Sequence, residues 1–183
     1  MNPMDEDSEP PPLTRTLRLR DIQEDVEQRI EVTPEELAEI VRILDLVALE
    51  GLAFTYRLRR GAGGRIHLAG YLKARVTQTC VVTLEPVESV VDSPVEDEFW
   101  PAPLIAELER QVADPNATVP LDWPDVIVDG TIDFGPVVYE SLATALDPYP
   151  KRPGASFQWS QGPDGVEDGE SGPFAALKGL KKS

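Results

Sequence analysis

An alternation of period two runs through LAFTYRLRRGAGGRIHLAGYLKARVTQTCVV, and it limits the fold more tightly than any other feature of the chain. Phe54, Tyr56 and Leu58 share one phase, and Ile66, Leu68, Leu72, Ala74 and Val76 share one phase beyond RGAGG, which supplies a turn. Successive side chains of a strand point to opposite faces, so the segment predicts a hairpin with one apolar face. The other phase carries Arg57, Arg59, His67, Lys73 and Arg75, with Arg60 and Arg65 flanking the turn. Such a hairpin has a core side and a cationic side.

The apolar side needs a cover, and TPEELAEIVRILDLVALEG is suited to be one. Thr33 predicts an N-cap, Pro34 fits the first helical position and Glu36 completes a capping box. Leu37, Ile40, Val41, Leu44, Val47 and Ala48 follow at helical spacing, with Gly51 placed to end the helix. Downstream, LEPVESVVDSPVEDEFWP reads as a turn at Pro86 followed by one or two strands, edge-like because of Pro94 and the charge. LIAELERQV suits a short helix within a proline-interrupted excursion over 102–125. Val126–Val128 reads as a short strand and Asp129-Gly130 as a turn. A second helix follows, with Asp133 as N-cap, Val138, Leu142, Ala145 and Leu146 on one face, and Pro148 as its stop.

The 183 residues suffice for one domain with tails. Residues 1–12 are acidic and proline-rich and predict a disordered leader, 13–150 the domain, and 151–183 a flexible Gly/Pro/Ser-rich tail ending in a short binding helix, FAALKGLKK. No run of about 18 apolar residues suggests a membrane span, and the leader lacks the cationic start of a signal peptide. The chain is expected to be soluble and cytoplasmic. Cys80 and His67 are the only residues of their kinds, which leaves little material for a closed zinc site, a disulfide framework or a histidine-based triad. RGAGG lacks the Lys-Ser/Thr of a nucleotide-binding loop, and no G-x-S-x-G or H-E-x-x-H motif occurs. No metal, no cofactor and no enzymatic activity are expected.

Charge is segregated. The net value is −16, yet residues 51–84 hold six Lys or Arg and no acid, while 85–150 hold fifteen acids and one base. The plain reading of the basic strip is a solvated outer face. The sharper one is a focused patch that binds a phosphate backbone while the acidic remainder repels other RNA. The acids likewise either solubilise the chain or hold a very basic protein. Cys80 reads as a small buried hydrophobe, with no neighbouring cation or second cysteine to lower its pKa, and His67 as a solvated or stacking side chain.

Three stretches carry a family resemblance. TCVVTLEPV resembles the central motif of the YceD family of bacterial large-ribosomal-RNA accumulation proteins, with Cys80 at the first cysteine of the family's pair and Pro86 following. GTIDFGPVVYESLATALDPYPKRPG resembles its Gly-x-Ile-Asp segment, here Ile132 and Asp133, and GPFAALKGLKKS its Pro-Phe-x-x-Leu ending, here Pro173, Phe174 and Leu177. Thr83 stands in place of the second cysteine, so no metal or redox role of that pair carries over. The resemblance implies a non-enzymatic factor in accumulation or processing of large-subunit ribosomal RNA, its partner the RNA or the pre-large-subunit particle. The alternative is an acidic chaperone or adaptor for a basic ribosomal protein. The fold expected is α+β, a twisted, mainly antiparallel sheet packed against the two amphipathic helices.

Overall fold

A computed structural model describes residues 11–113 and 123–156. The chain divides into two units, Met1–Pro153 and Gly154–Ser183, and the fold below is that of the first. Its elements are β1 (Thr16–Arg18), β2 (Gln28–Glu31), α1 (Pro34–Ile43), β3 (Ala48–Arg60), β4 (Ile66–Thr79), β5 (Pro86–Pro101), α2 (Ala102–Val112), β6 (Asp125–Ile127), β7 (Thr131–Asp133) and α3 (Gly135–Ala145). The fold is α+β. A mixed, mostly antiparallel sheet has the order β2-β3-β4-β5-β6, only β5 and β6 running parallel, and β1 pairs with β7 in a separate two-stranded ribbon.

The alternation in β3 and β4 survives in the structure. Phe54, Leu58, Ile66, Leu68, Leu72 and Val76 are buried on one face, joined from β5 by Val91, Val95 and Phe99. Leu68 stands opposite Leu58, and Leu72 opposite Phe54. Gly70 belongs to the same inward phase without contributing bulk, because a Cβ there would lie 2.4 Å from the Phe54 ring and 2.9 Å from the Thr55 carbonyl oxygen. Ile40 of α1 and Val137, Val138 and Leu142 of α3 close this core.

α1 starts where its capping box predicts: the Glu36 N–H donates to Thr33 Oγ1 at 3.3 Å, and the Thr33 N–H donates to Glu36 Oε2 at 2.9 Å. It ends earlier than its apolar spacing predicts. Asp45 adopts φ 51°, and the Leu46 N–H donates back to the Val41 carbonyl at 3.0 Å, a Schellman closure with aspartate in the usual glycine place. From Val47, whose N–H donates to the Thr77 carbonyl at 2.8 Å, the chain belongs to the sheet. Strand pairing over more than ten residues outweighs the weak local preference that placed Val47 and Ala48 on a helix. Gly51, expected as a helix terminator, has φ 66° at the register shift between Glu50 and Ala53 and serves a bulge.

Other boundaries also move. The segment after Pro86, read as one or two strands, is a single strand of 16 residues. β2, which pairs through Ile30 opposite Phe54, had no counterpart among the expected elements. Three helices accompany the sheet, α2 falling on the LIAELERQV stretch read as a short helix, where two were expected to pack against it. α3 begins after Phe134, one residue later than an Asp133 cap places it, although the Asp133 carboxylate still accepts the Gly135 N–H at 3.0 Å. Ala145, expected on the buried face, is exposed. The expectations for the leader lie almost entirely outside the described residues, as do those for the C-terminal helix and for Pro173, Phe174 and Leu177.

Candidate functional site

The outer face of the sheet carries the polar phase of three strands. Arg57 and Arg59 project from β3, His67, Lys73 and Arg75 from β4, and Glu88, Asp92, Glu96 and Glu98 from β5. Register sets charge beside charge: Glu98 is directly opposite His67, and Asp92 opposite Lys73. His67 Nδ1 lies 2.8 Å from Glu98, and Lys73 Nζ 3.5 Å from Asp92. On the other flank, the segment before β2 supplies Glu24, Asp25 and Glu27, each 3.0 Å from Arg60, Arg59 and Arg57 respectively. The acid-free hairpin is thus the central band of a mosaic, with carboxylates on both sides. Such exposed pairs are each worth about 0.5 kcal/mol and exchange readily with other charged partners.

Arg65 lies against the Trp100 ring, its guanidinium carbon 3.7 Å from the centroid. Arg75 faces Glu50 and Val90 and makes no ion pair among the described residues. The seven candidate cations thus share one face and its turn, but most of them already have an anionic or aromatic partner.

Where β5 approaches α2, a cleft of about 390 Å³ opens on this face, lined by His67, Glu96, Glu98, Trp100, Leu108 and Trp123 among others. The Trp100 indole N–H donates to Glu98 Oε2 at 2.6 Å, and Trp123 is half-exposed. This combination of two indoles and carboxylates is absent from the residues singled out in the sequence for RNA binding. Its signal is the alternating Glu96, Glu98 and Trp100 of EDEFW, all in the outward phase.

A second locus surrounds Cys80. Its side chain is buried, but it sits in the turn after β4 rather than on a strand. Its Sγ accepts the N–H groups of Thr83 and Arg152, each at 3.4 Å. The Cys80 N–H donates to the Glu85 carbonyl at 2.9 Å, the Val81 N–H donates to the Pro150 carbonyl at 2.9 Å, and Arg152 pairs with Glu85. Hydrogen bonds from the Thr83 side chain and from the Arg152, Thr83 and Val82 backbone lower the thiol from 9.0 to about 6. The sequence predicts no group able to lower it. Neutral donors rather than a cation do so: Thr83 and Val82 belong to the turn itself, and the Arg152 N–H joins them when residues 150–152 fold onto it.

Two of the three family-like stretches therefore meet at Cys80 and Arg152. Ile132 and Asp133, from the second, lie elsewhere: Ile132 is fully buried, and the Asp133 carboxylate accepts the Arg15 N–H at 2.7 Å as well as that of Gly135. Pro86 opens β5 opposite Thr79. Among the described residues no group of three or more His, Cys, Asp or Glu is arranged to hold a metal ion.

The family model described as "Large ribosomal RNA subunit accumulation protein YceD" matches residues 68–181, more than half of the chain. The chain belongs to the YceD family. No curated protein matches it, and no solved structure does. The YceD match begins within β4, so Arg57, Arg59, Arg60, Arg65 and His67 precede it, while Lys73, Arg75, the Cys80 turn and all of β5 fall inside. No helix among the described residues is long and apolar enough to cross a membrane.

Proposed function

We propose that this YceD-family protein is a non-enzymatic, cytoplasmic ribosome biogenesis factor that promotes accumulation of large-subunit ribosomal RNA by binding, without covalent chemistry or a cofactor. The family match over residues 68–181 is the observation that carries the reading. The physical support is the mosaic face, where exposed cations paired to exposed carboxylates can trade those partners for phosphates at small cost. Arg75 makes the cheapest such exchange, having no carboxylate to give up among the described residues.

The test is removal of the protein from its own cells, followed by measurement of the ratio of large- to small-subunit ribosomal RNA and sedimentation of the restored full-length chain with pre-large-subunit particles. A fall in the ratio with co-sedimentation supports the proposal; an unchanged ratio overturns it.

The β5 carboxylates favour a second reading, an adaptor that holds a basic ribosomal protein. Glu88, Asp92 and Glu96 are exposed in one row, and no Lys or Arg lies between Pro86 and Pro101. Purified large-subunit proteins retained by the full-length chain in the absence of RNA support it.

A further inference from the structure

β5 is paired with β4 from Pro86 to Phe99, but on its other side only Phe99–Pro101 meets β6. Among the described residues, the stretch from Pro86 to Glu98 has no strand beside it there. An open edge presents unpaired backbone donors and acceptors and templates a further strand. Two features keep this one from pairing with a copy of itself. Pro86 and Pro94 interrupt it, and Glu88, Asp92, Glu96, Asp97 and Glu98 make it uniformly acidic, so β5 against β5 sets carboxylate beside carboxylate. The same charges favour a strand of opposite sign.

The prolines also indicate the register. A proline inside a sheet is tolerated where its missing N–H would face the open side. Pro86 and Pro94 share their alternation with Glu88, Val90, Asp92 and Glu96, so the polar backbone groups of these positions face the open edge. Their side chains lie on the outer face of the sheet, where Val90 is 71% exposed. Outward side chains of an added strand would then stand beside Glu88, Val90, Asp92, Pro94 and Glu96 in turn, a row suited to cations separated by apolar or small residues. At its end the row reaches the Trp100–Trp123 cleft, where Arg65 already covers the Trp100 ring and His67 engages Glu98, and where the half-exposed Trp123 indole and the Glu96 carboxylate match a further guanidinium or ammonium group.

We infer that the open edge of β5 takes up an extended, lysine- and arginine-rich segment of a basic protein as an added strand, with one cationic side chain anchored in the Trp100–Trp123 cleft. This rests on the adaptor reading and goes beyond it by naming the edge and the conformation of the partner.

The experiment uses the full-length chain and a synthetic peptide in which Lys or Arg alternates with Val and Thr, together with two N-methylated forms, each blocking one alternate set of its amides. Backbone pairing predicts that one methylated form loses about tenfold or more in affinity while the other retains it, and that amide exchange slows at Glu88, Val90, Asp92 and Glu96. Replacing Glu88→Gln, Asp92→Gln and Glu96→Gln together should weaken the unmethylated peptide about tenfold, since exposed ion pairs are individually weak and three are removed. Equal affinity of the two methylated forms overturns the edge and leaves the adaptor reading standing as charge attraction alone. Failure of the peptide and of every basic large-subunit protein to bind overturns both. Protection of the same amides by an oligoribonucleotide but not by the peptide overturns the assignment of a basic protein as the partner.

Discussion

The Arg15 guanidinium forks across the Glu36 carboxylate, with NH1 to Oε1 at 2.6 Å and NH2 to Oε2 at 2.7 Å. The acceptor that closes the capping box of α1 therefore also holds the segment leading into β1, and Arg15 donates in addition to the carbonyl of Glu31, the last residue of β2.

Breaking this fork should cost about 1–2 kcal/mol, the scale of a missing helix cap combined with a charge-assisted bidentate pair. Urea unfolding of Arg15→Ala and Glu36→Gln chains measures it. The Arg15 hydrogen bonds are the main cause holding the Glu36 carboxyl below its ordinary value of 4.5. The stability gained is thus fully present above pH 4.5 and is lost as pH falls through the lower folded-state value. The Glu36→Gln chain should show a shallower loss of stability over that acid range than the parent.

Gly70→Ala should destabilise the domain by about 1–3 kcal/mol, because the new Cβ meets the Phe54 ring 2.4 Å away inside a closed core. The combination Phe54→Leu with Gly70→Ala should recover part of the loss. Thermal denaturation of the single and double variants tests the pair.

Thr83→Ala should move the titration of Cys80 from about 6 back toward the ordinary thiol value of 9.0, since the Thr83 side chain is the first cause of the shift. Thiolate absorbance as a function of pH reads it directly. For the parent chain the lowered value adds stability that is fully present above pH 9 and fades as pH falls to about 6, a slope the variant should show in reduced form, because the Arg152, Thr83 and Val82 backbone donors remain.

Replacing Arg57, Arg59, Lys73 and Arg75 by Gln should flatten the salt dependence of RNA binding by up to roughly 0.7–0.9 log units for each phosphate that is no longer neutralised. Among the single substitutions, Arg75→Gln should have the largest effect, because the other three have carboxylates to return to. Folding should change by no more than about 0.5 kcal/mol for each exposed position. Unaltered salt dependence of the folded quadruple variant removes this face from RNA binding.

Purified protein should contain less than about 0.1 zinc per chain, since Thr83 stands where a thiolate ligand would be needed. Elemental analysis decides it, and stoichiometric zinc surviving mild chelation would be the contrary result.

The sequence made the hairpin legible because strand alternation is local: the phases of Phe54 and Leu72, and of Arg57 and Lys73, follow from counting alone. The same holds for the start of α1, whose capping box spans four residues. The end of α1 was not legible, since Val47 continues a helical pattern and only pairing with Thr77, thirty residues away, claims it for the sheet. The candidate cations were visible, but their neutralisation was not. Glu24, Asp25 and Glu27 on one side and Asp92 and Glu98 on the other become their partners only through strand order. Nor could counting find the donors at Cys80, one of which is the Arg152 amide.

The ribbon of β1 and β7 joins parts of the chain that are made far apart in time. Arg15 and Asp133, hydrogen-bonded at 2.7 Å, are 118 residues apart, and a Cβ at Gly135 would lie 2.3 Å from the Leu13 carbonyl oxygen. During synthesis the first strand must wait, with its backbone unpaired, until almost the whole domain has left the exit tunnel. The central hairpin can close long before that, since its strands are neighbours in sequence and short loops close in well under a microsecond. Completion of the native unit is therefore a late, topology-limited event, and a nascent chain arrested before Thr131 would present its N-terminal segment to whatever lies nearest, the translating ribosome first of all.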